Sequence, residues 1–184
     1  KINGMSWKCK LLNLPCFVPD QKVLAIVDAQ KDFIDGSMGV GMEKWKRAKA
    51  AIIDLMKKEK YDSIVYTKDW HPTNHCSFKP QGGPWPNHCV AGEKGAEIDA
   101  ELLAVNIPSV TLNKGCDPNV EEYGIDVLPN VDNVKELHLV GLCFDYCVQS
   151  CAKETAKTHP NTKIVVKKAG TVAIDENAKI DWEG

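Results

Sequence analysis

The sequence has no excess of either charge: 23 Lys and Arg face 25 Asp and Glu, for a formal net charge of -2 over 184 residues. This balance argues against a protein that grips nucleic acid or an anionic membrane, so neither partner is expected. No apolar run approaches the roughly 20 residues of a membrane span, and the first residues lack the apolar stretch of a secretion signal. We therefore expect a cytoplasmic protein with a small-molecule ligand.

Closely spaced cysteine pairs are also missing. The eight cysteines are scattered along the chain, and none of them forms a C-x-x-C motif. A four-cysteine zinc ribbon is therefore not expected. Because a chain of this length with 43% hydrophobic residues can bury a core without disulfides, we expect reduced thiols, of which one or two carry chemistry.

What the sequence does contain is an alternation of strand and helix patterns. Short β-prone runs predict strands, and apolar positions that recur every three or four residues predict helices. The predicted strands are 22–27, 63–67, 109–112, 136–142 and 163–166, and the predicted helices are 42–60, 96–103 and 146–158. This order predicts a single α/β domain over residues 22–184, with an open, mostly parallel sheet and helices on both faces. Residues 1–21 show no period and are expected to form an arm.

Reactive side chains follow four of the predicted strands. In open α/β sheets, ligands bind beyond the carboxyl ends of the strands, so side chains at these ends meet at one rim. The residues concerned are Asp28, Asp69, His71, Lys114, Cys143 and Cys147. Their convergence predicts the functional site.

Asp69 and His71 are candidate metal ligands. They are two residues apart just past a strand, where an extended backbone points both side chains the same way. His88 is the favoured third ligand because the long loop before it can fold back, and His75 is the alternative. Such a set suits zinc or iron(II), with manganese less favoured. The competing interpretation is that these histidines cap turns in the loop.

Cys147 is a candidate nucleophile. It lies at a turn leading into a predicted helix, whose N-terminus favours a thiolate. Asp28 can act as its general base, and Lys114 can stabilise the thiolate. Backbone N–H groups near Cys143 and Cys147 can form an oxyanion hole. The competing interpretation is that Cys147 is a small buried apolar side chain.

Aromatic side chains also lie near these positions. Phe33, Trp85 and Tyr123 can hold a flat heteroaromatic ligand through their ring faces and edges. Core packing is the alternative role for each of them.

These residues fall in segments that resemble a known family. Five segments match it in order and spacing: 28–33, 69–72, 85–92, 114–115 and 141–148. They resemble the nicotinamidase/pyrazinamidase branch of the isochorismatase-like cysteine hydrolases. The resemblance implies a Rossmann-like fold and a cis peptide between Leu142 and Cys143. It further implies catalytic Asp28, Lys114 and Cys147, metal ligands Asp69, His71 and His88, and pocket walls that include Phe33 and Trp85.

The function implied by the resemblance is hydrolysis of nicotinamide to nicotinate and ammonia through a cysteine thioester, as part of NAD salvage. Pyrazinamide is the implied substrate analogue. The implied cofactor is one divalent metal ion, zinc before iron or manganese, with His75, Ser77 or water as its fourth ligand. Two alternatives stay open: a related hydrolase of another small amide or imide, and a catalytically silent binding module. Because family members usually continue past the end of this pattern, we expect residues 1–21 or a second copy of the chain, as a homo-oligomer, to cover the sheet edge.

Overall fold

Five parallel strands form one sheet in the computed structural model, which describes residues 21–179. They are β1 (Gln21–Val27), β2 (Ser63–Asp69), β3 (Ser109–Lys114), β4 (Val134–Leu142) and β5 (Lys163–Val172). Their order across the sheet is β3-β2-β1-β4-β5, and every neighbouring pair is parallel. The predicted open parallel sheet is confirmed. The predicted arm lies outside the described residues except for Gln21, which begins β1.

Helices cover both faces of this sheet. They are α1 (Lys31–Ile34), α2 (Met42–Lys58), α3 (Ala100–Leu103) and α4 (Gln149–Thr158). Trp45 and Ile52 of α2 pack in one apolar cluster with Leu24 and Ile26 of β1. On the other face, α4 packs with the alternate β1 side chains, in a cluster that includes Val23, Ala25, Cys151 and Ala152. The alternation along β1 thus builds two cores, one on each face. Within residues 21–179, no helix has the length and apolar character needed to cross a membrane.

The strand order places the functional site. From β1 the chain moves outward through β2 to β3 and then crosses back to β4 on the other side of β1. The carboxyl ends of β1 and β4 therefore flank the point where the strand order reverses, which is where open α/β sheets bind ligands. Asp28 follows β1 directly, and Cys143 follows β4 directly. This arrangement is the Rossmann-like architecture that the resemblance implied.

Several predicted boundaries differ from the structure. The predicted helix 96–103 is confirmed only in its last four residues, which form α3. Its start is a 3₁₀ turn (Lys94–Ala96), and Ile98 between the two forms an antiparallel bridge with Gln30. Strand β5 continues to Val172, beyond the predicted end at 166, because an exposed edge strand tolerates the polar residues found there. Helix α1 was not predicted, since four residues are too few to show a helical period.

Candidate active site and metal centre

Lys114, the last residue of β3, lies at the centre of the site. Its side chain is buried, with only 1% of its surface exposed. The Nζ atom lies 2.8 Å from Asp28 Oδ2 and 3.4 Å from Cys147 Sγ, and it also contacts Asp69 Oδ1. Although burial opposes it, the charges of Asp28 and Asp69 hold the pKa of the Lys114 ammonium well above its ordinary value. The site is thus built around one buried cation that touches two carboxylates and a thiol.

Asp28 is held in a turn at the end of β1. Its φ of +46° is in the left-handed region, its N–H donates to the Thr67 carbonyl (3.0 Å), and the Thr67 hydroxyl donates to Oδ1 (2.7 Å). Oδ2 forms an ion pair with the Lys114 ammonium, which lies 2.8 Å away. A carboxylate oxygen of Asp28 lies within 4.8 Å of Cys147 Sγ. Burial, together with the neighbouring Asp69, raises the pKa of Asp28 despite the ion pair with Lys114. The geometry and basicity both suit a proton acceptor.

Cys147 lies in a π-helical turn (Phe144–Val148) that leads into α4. Burial raises the pKa of its thiol well above the ordinary value, and the Lys114 charge opposes this shift without overcoming it. The position before the N-terminus of α4 favours a thiolate, but burial outweighs it, since the cysteine is only 5% exposed. The resting side chain is a thiol, and its activation needs a base. The six cysteines among residues 21–179 are free, as expected, and Cys9 and Cys16 lie outside the described residues.

The turn between β4 and Cys147 begins with a cis peptide bond between Leu142 and Cys143, as the resemblance implied. The N–H groups of Tyr146 and Val148 both donate to the Cys143 carbonyl, each at 3.2 Å. These bonds tie the turn to the end of β4. The oxyanion role of the Cys143 and Cys147 N–H groups stays a prediction.

Asp69, His71 and His88 lie together beside Lys114. One potential ligand atom from each residue falls in a group whose members are all within 4.8 Å of one another. Asp69 Oδ2 is 3.2 Å from His71 Nε2 and 3.9 Å from His88 Nε2. Ligands of one zinc ion have separations of this size, since each lies about 2.0–2.2 Å from the metal. Asp69 therefore directs Oδ1 to Lys114 and Oδ2 to the imidazoles, and it joins the two halves of the site.

The two imidazoles are oriented as metal ligands need to be. His71 Nδ1 donates to the Gly115 carbonyl, and His88 Nδ1 donates to the Pro86 carbonyl, both at 2.8 Å. In the neutral imidazoles these bonds leave each Nε2 without a hydrogen and free to act as a ligand. Although burial opposes it, the Asp69 carboxylate raises the pKa of His71, which favours its protonated form, so metal binding at its Nε2 would release a proton. Burial lowers the pKa of His88, which favours the neutral form. The three residues thus fit a divalent metal ion by donor type and spacing.

His75, the alternative third ligand, has its ring nitrogens engaged. Its Nε2 donates to the Val120 carbonyl at 3.0 Å, and its Nδ1 lies 2.7 Å from Ser77 Oγ and accepts from the Ser77 N–H. The ring packs against His71, with centroids 4.1 Å apart. His75 therefore packs against the candidate ligand His71, and Ser77 holds the His75 ring in place.

An aromatic-walled cavity opens beside Cys147. Trp85 Nε1 donates to the Tyr123 hydroxyl at 3.0 Å, and its ring meets that of Tyr146 edge-on, with centroids 5.5 Å apart. The predicted pocket residues all line this cavity, whose walls are Phe33, Met38, Asp69, Trp85, His88, Glu121, Tyr123, Cys143, Tyr146, Cys147 and Ile174. Tyr146 and Glu121 were missed. Tyr146 could have been predicted as a pocket residue, because it directly precedes the candidate nucleophile in the sequence.

Comparison with known proteins finds relatives and structural neighbours that are nicotinamidases and pyrazinamidases. The chain is 30% identical over 166 residues to the nicotinamidase/pyrazinamidase of Mycobacterium tuberculosis, covering 84% of this chain and 89% of that protein. Among solved structures, the pyrazinamidase of Pyrococcus horikoshii in complex with zinc has a TM-score of 0.67 at 30% identity, covering 85% of this chain and 88% of its own. PnC1 from L. infantum in complex with nicotinate has a TM-score of 0.71 at 29% identity, covering 86% of each chain.

A family model agrees with these likenesses and covers most of the sequence. The model of the isochorismatase domain matches residues 22–176, a span that includes all five strands except the first residue of β1, and every residue of the site described above. The chain therefore belongs to the isochorismatase-domain family.

Proposed function

We propose that this protein is a metal-dependent nicotinamidase, which hydrolyses nicotinamide to nicotinate and ammonia and so feeds NAD salvage. The observation that carries the proposal is the position of Lys114, which contacts the candidate base Asp28, the candidate nucleophile Cys147 and the candidate metal ligand Asp69 at once. The relatives from M. tuberculosis and P. horikoshii, which are named for nicotinamide and pyrazinamide hydrolysis, support the same substrate class.

The first half of the reaction forms a thioester. Asp28 takes the proton from the Cys147 thiol, and the sulfur attacks the carboxamide carbonyl. Lys114 stabilises the negative charge on the sulfur, since its Nζ lies 3.4 Å away. The N–H groups of Cys143 and Cys147 bind the oxyanion of the tetrahedral intermediate. When this intermediate collapses, Asp28 returns its proton to the amide nitrogen, the C–N bond breaks, and the nitrogen departs as ammonia.

The second half releases the acid. Ammonia leaves, and a water molecule takes its place beside Asp28. Asp28 removes a proton from this water, which attacks the thioester carbonyl, and the proton passes to the Cys147 sulfur as the C–S bond breaks. Nicotinic acid forms and loses its proton to solvent as nicotinate, and the thiol is restored. Because a carboxylate oxygen of Asp28 lies within 4.8 Å of Cys147 Sγ, the same group can serve both proton transfers.

We propose zinc as the metal, held by Asp69, His71 and His88, with iron or manganese as alternatives. When bound, the ion supplies a Lewis acid that orients the ring nitrogen of the substrate. Phe33, Trp85 and Tyr123 confine the ring, because they line the same cavity as Asp69, His88 and Cys147. The carboxamide is then presented to the sulfur. Pyrazinamide is expected to bind in the same way, since its ring also carries a nitrogen in that position.

The test is ammonia release from nicotinamide by the purified protein. Wild type is assayed with zinc, after chelation, and after chelation followed by return of zinc. Cys147→Ala is assayed beside it, with Cys116→Ser as the control because Cys116 is exposed. We expect turnover by wild type and by Cys116→Ser, no turnover by Cys147→Ala, and loss on chelation that zinc reverses.

Other outcomes separate the parts of the proposal. If zinc-loaded wild type releases no ammonia from nicotinamide, the substrate assignment is wrong. If the chelated enzyme keeps its activity, the cysteine mechanism stands and the metal requirement is wrong. If Cys147→Ala keeps its activity, the thioester route is wrong.

A further inference from the structure

The segment after β1 contacts both chain segments that supply the metal ligands. Gln30, which is fully buried, bonds both backbone groups of Asp69 through its side-chain amide. Its Oε1 accepts the Asp69 N–H at 2.8 Å, and its Nε2 donates to the Asp69 carbonyl at 2.8 Å and to the Ala96 carbonyl at 3.0 Å. The amide thus uses its acceptor and both of its donor hydrogens.

Asp32, two residues later, bonds the loop that carries His88. Its Oδ2 accepts the N–H of Cys89, the residue directly after His88, at 2.8 Å. Cys89 has a φ of +48°, in the left-handed region, so this bond holds the loop in a conformation that L side chains rarely adopt. The Asp32 carboxylate also packs against Gly95, where a Cβ would lie 2.0 Å from Oδ2. The loop is therefore closed tightly around this carboxylate.

We propose that Gln30 and Asp32 are positioning residues that set the separation of Asp69 and His88, an inference that rests on the metal centre proposed above. Asp69 and His88 come from different segments, and their ligand atoms, Oδ2 and Nε2, lie 3.9 Å apart. Gln30 fixes the backbone of the first, and Asp32 fixes the backbone next to the second. Gln30 and Asp32 are only two residues apart. The short segment 30–32, called the clamp below, therefore bonds both ligand-bearing segments and holds them at a fixed separation.

Part of this clamp is made by the backbone. The Lys31 N–H donates to the Glu97 carbonyl at 3.0 Å, and the Asp99 N–H donates to the Ala29 carbonyl at 2.8 Å. These bonds attach the clamp to the chain that follows the His88 loop. Removing one positioning side chain is therefore expected to loosen the metal site while leaving the sheet in place.

The test measures the zinc affinity of the purified full chain by competition with a chelator of known affinity. Asp32→Ala removes the acceptor for the Cys89 N–H, and Asp32→Asn restores an acceptor oxygen. Asp35→Ala is the matched control, because Asp35 lies in the same segment with an exposed side chain that makes no hydrogen bond or ion pair within residues 21–179. We expect zinc affinity to fall about 10- to 100-fold in Asp32→Ala and in Gln30→Ala, and to be retained in Asp32→Asn and Asp35→Ala.

The thermal stability of the metal-free protein separates positioning from general destabilisation. A fall in stability with no change in zinc affinity for Asp32→Ala overturns the positioning role, and so does an equal loss of affinity in Asp32→Asn. If Gln30→Ala fails to fold, the two Asp32 variants decide the question. A wild-type chain that binds no zinc overturns the metal centre itself, and the positioning roles with it. If wild type binds zinc and Asp32→Ala binds it with the same affinity, the metal centre stands and only the positioning roles are wrong.

Discussion

The Nζ atom of Lys114 lies 3.4 Å from the Sγ atom of Cys147, inside a site where both side chains are buried. The same ammonium contacts Asp28 and Asp69. Two carboxylates this close together in a buried site would repel each other without a cation between them. Lys114 therefore has a structural task beside its proposed catalytic one, since it is what allows the base and the metal ligand to be neighbours.

Lys114→Met is expected to destabilise the fold as well as abolish activity. It leaves Asp28 and Asp69 buried without their cation, a change that costs about 3–5 kcal/mol. The cost is present at neutral pH and shrinks on acidification, because carboxyl groups that become protonated no longer need the cation. Urea unfolding measures the loss of stability at neutral pH and its decrease at acidic pH. Lys46→Met, at an exposed position on α2, is the control and should shift stability by no more than about 0.5 kcal/mol.

Thr67→Val is expected to move the acidic limb of the pH–activity profile. The Thr67 hydroxyl donates to Asp28 Oδ1 and stabilises the carboxylate, so its removal raises the pKa of Asp28 further. A base with a raised pKa is ionised only at higher pH, and activity is lost as the pH falls through that pKa. The limb of kcat/KM should therefore shift to higher pH in the variant. An unchanged limb would mean that Asp28 is not the group whose ionisation the profile reports.

Much of the site could be predicted because of one regularity of parallel sheets. Asp28 and Lys114 are far apart in sequence, yet each lies at the carboxyl end of a strand, and the carboxyl ends of parallel strands share one edge. The contact between Lys114 and Asp69 could not be predicted in this way. It depends on the register of β3 against β2, which pairs Lys114 directly with Asp69, and strand periodicity carries no information about that register.

The ionisation state of Cys147 could not be predicted from the sequence, for a different reason. A position before a helix favours a thiolate, but the outcome depends on how deeply the turn is buried. The sequence indicates neither the π-helical turn nor its burial. The hydrogen bonds of Gln30 could not be predicted from the sequence either, because a side-chain amide bonded to backbone groups leaves no pattern in it.

Tyr123→Phe is expected to weaken substrate binding more than turnover. The variant keeps the ring but loses the oxygen that accepts the Trp85 N–H, so the wall of the cavity is less firmly held. A hydrogen bond of this kind is worth about 0.5–1.5 kcal/mol, which corresponds to a roughly two- to tenfold rise in KM for nicotinamide with kcat nearly unchanged. Tyr61→Phe is the control, because it also removes a tyrosine hydrogen bond, to His138. Tyr61 lies just before the amino end of β2, at the opposite end of that strand from Asp69. A fall in kcat with KM unchanged would contradict the wall role of Tyr123.

Gly115→Ala is expected to reduce zinc binding by displacing His71. Gly115 has a φ of +62°, and a Cβ at this position would lie 2.4 Å from Cε1 and 2.6 Å from Nδ1 of the His71 ring, so the ring must move away from the carbonyl that orients it. Gly82→Ala separates this effect from backbone strain, because Gly82 has a φ of +86° with open space around it. Both variants should lose stability of order 1 kcal/mol or more, since each forces a side chain into the left-handed region. Zinc content after dialysis should fall in Gly115→Ala and stay at the wild-type level in Gly82→Ala. Equal zinc content in the two variants would show that the hydrogen bond from His71 to Gly115 does not hold the ligand in place.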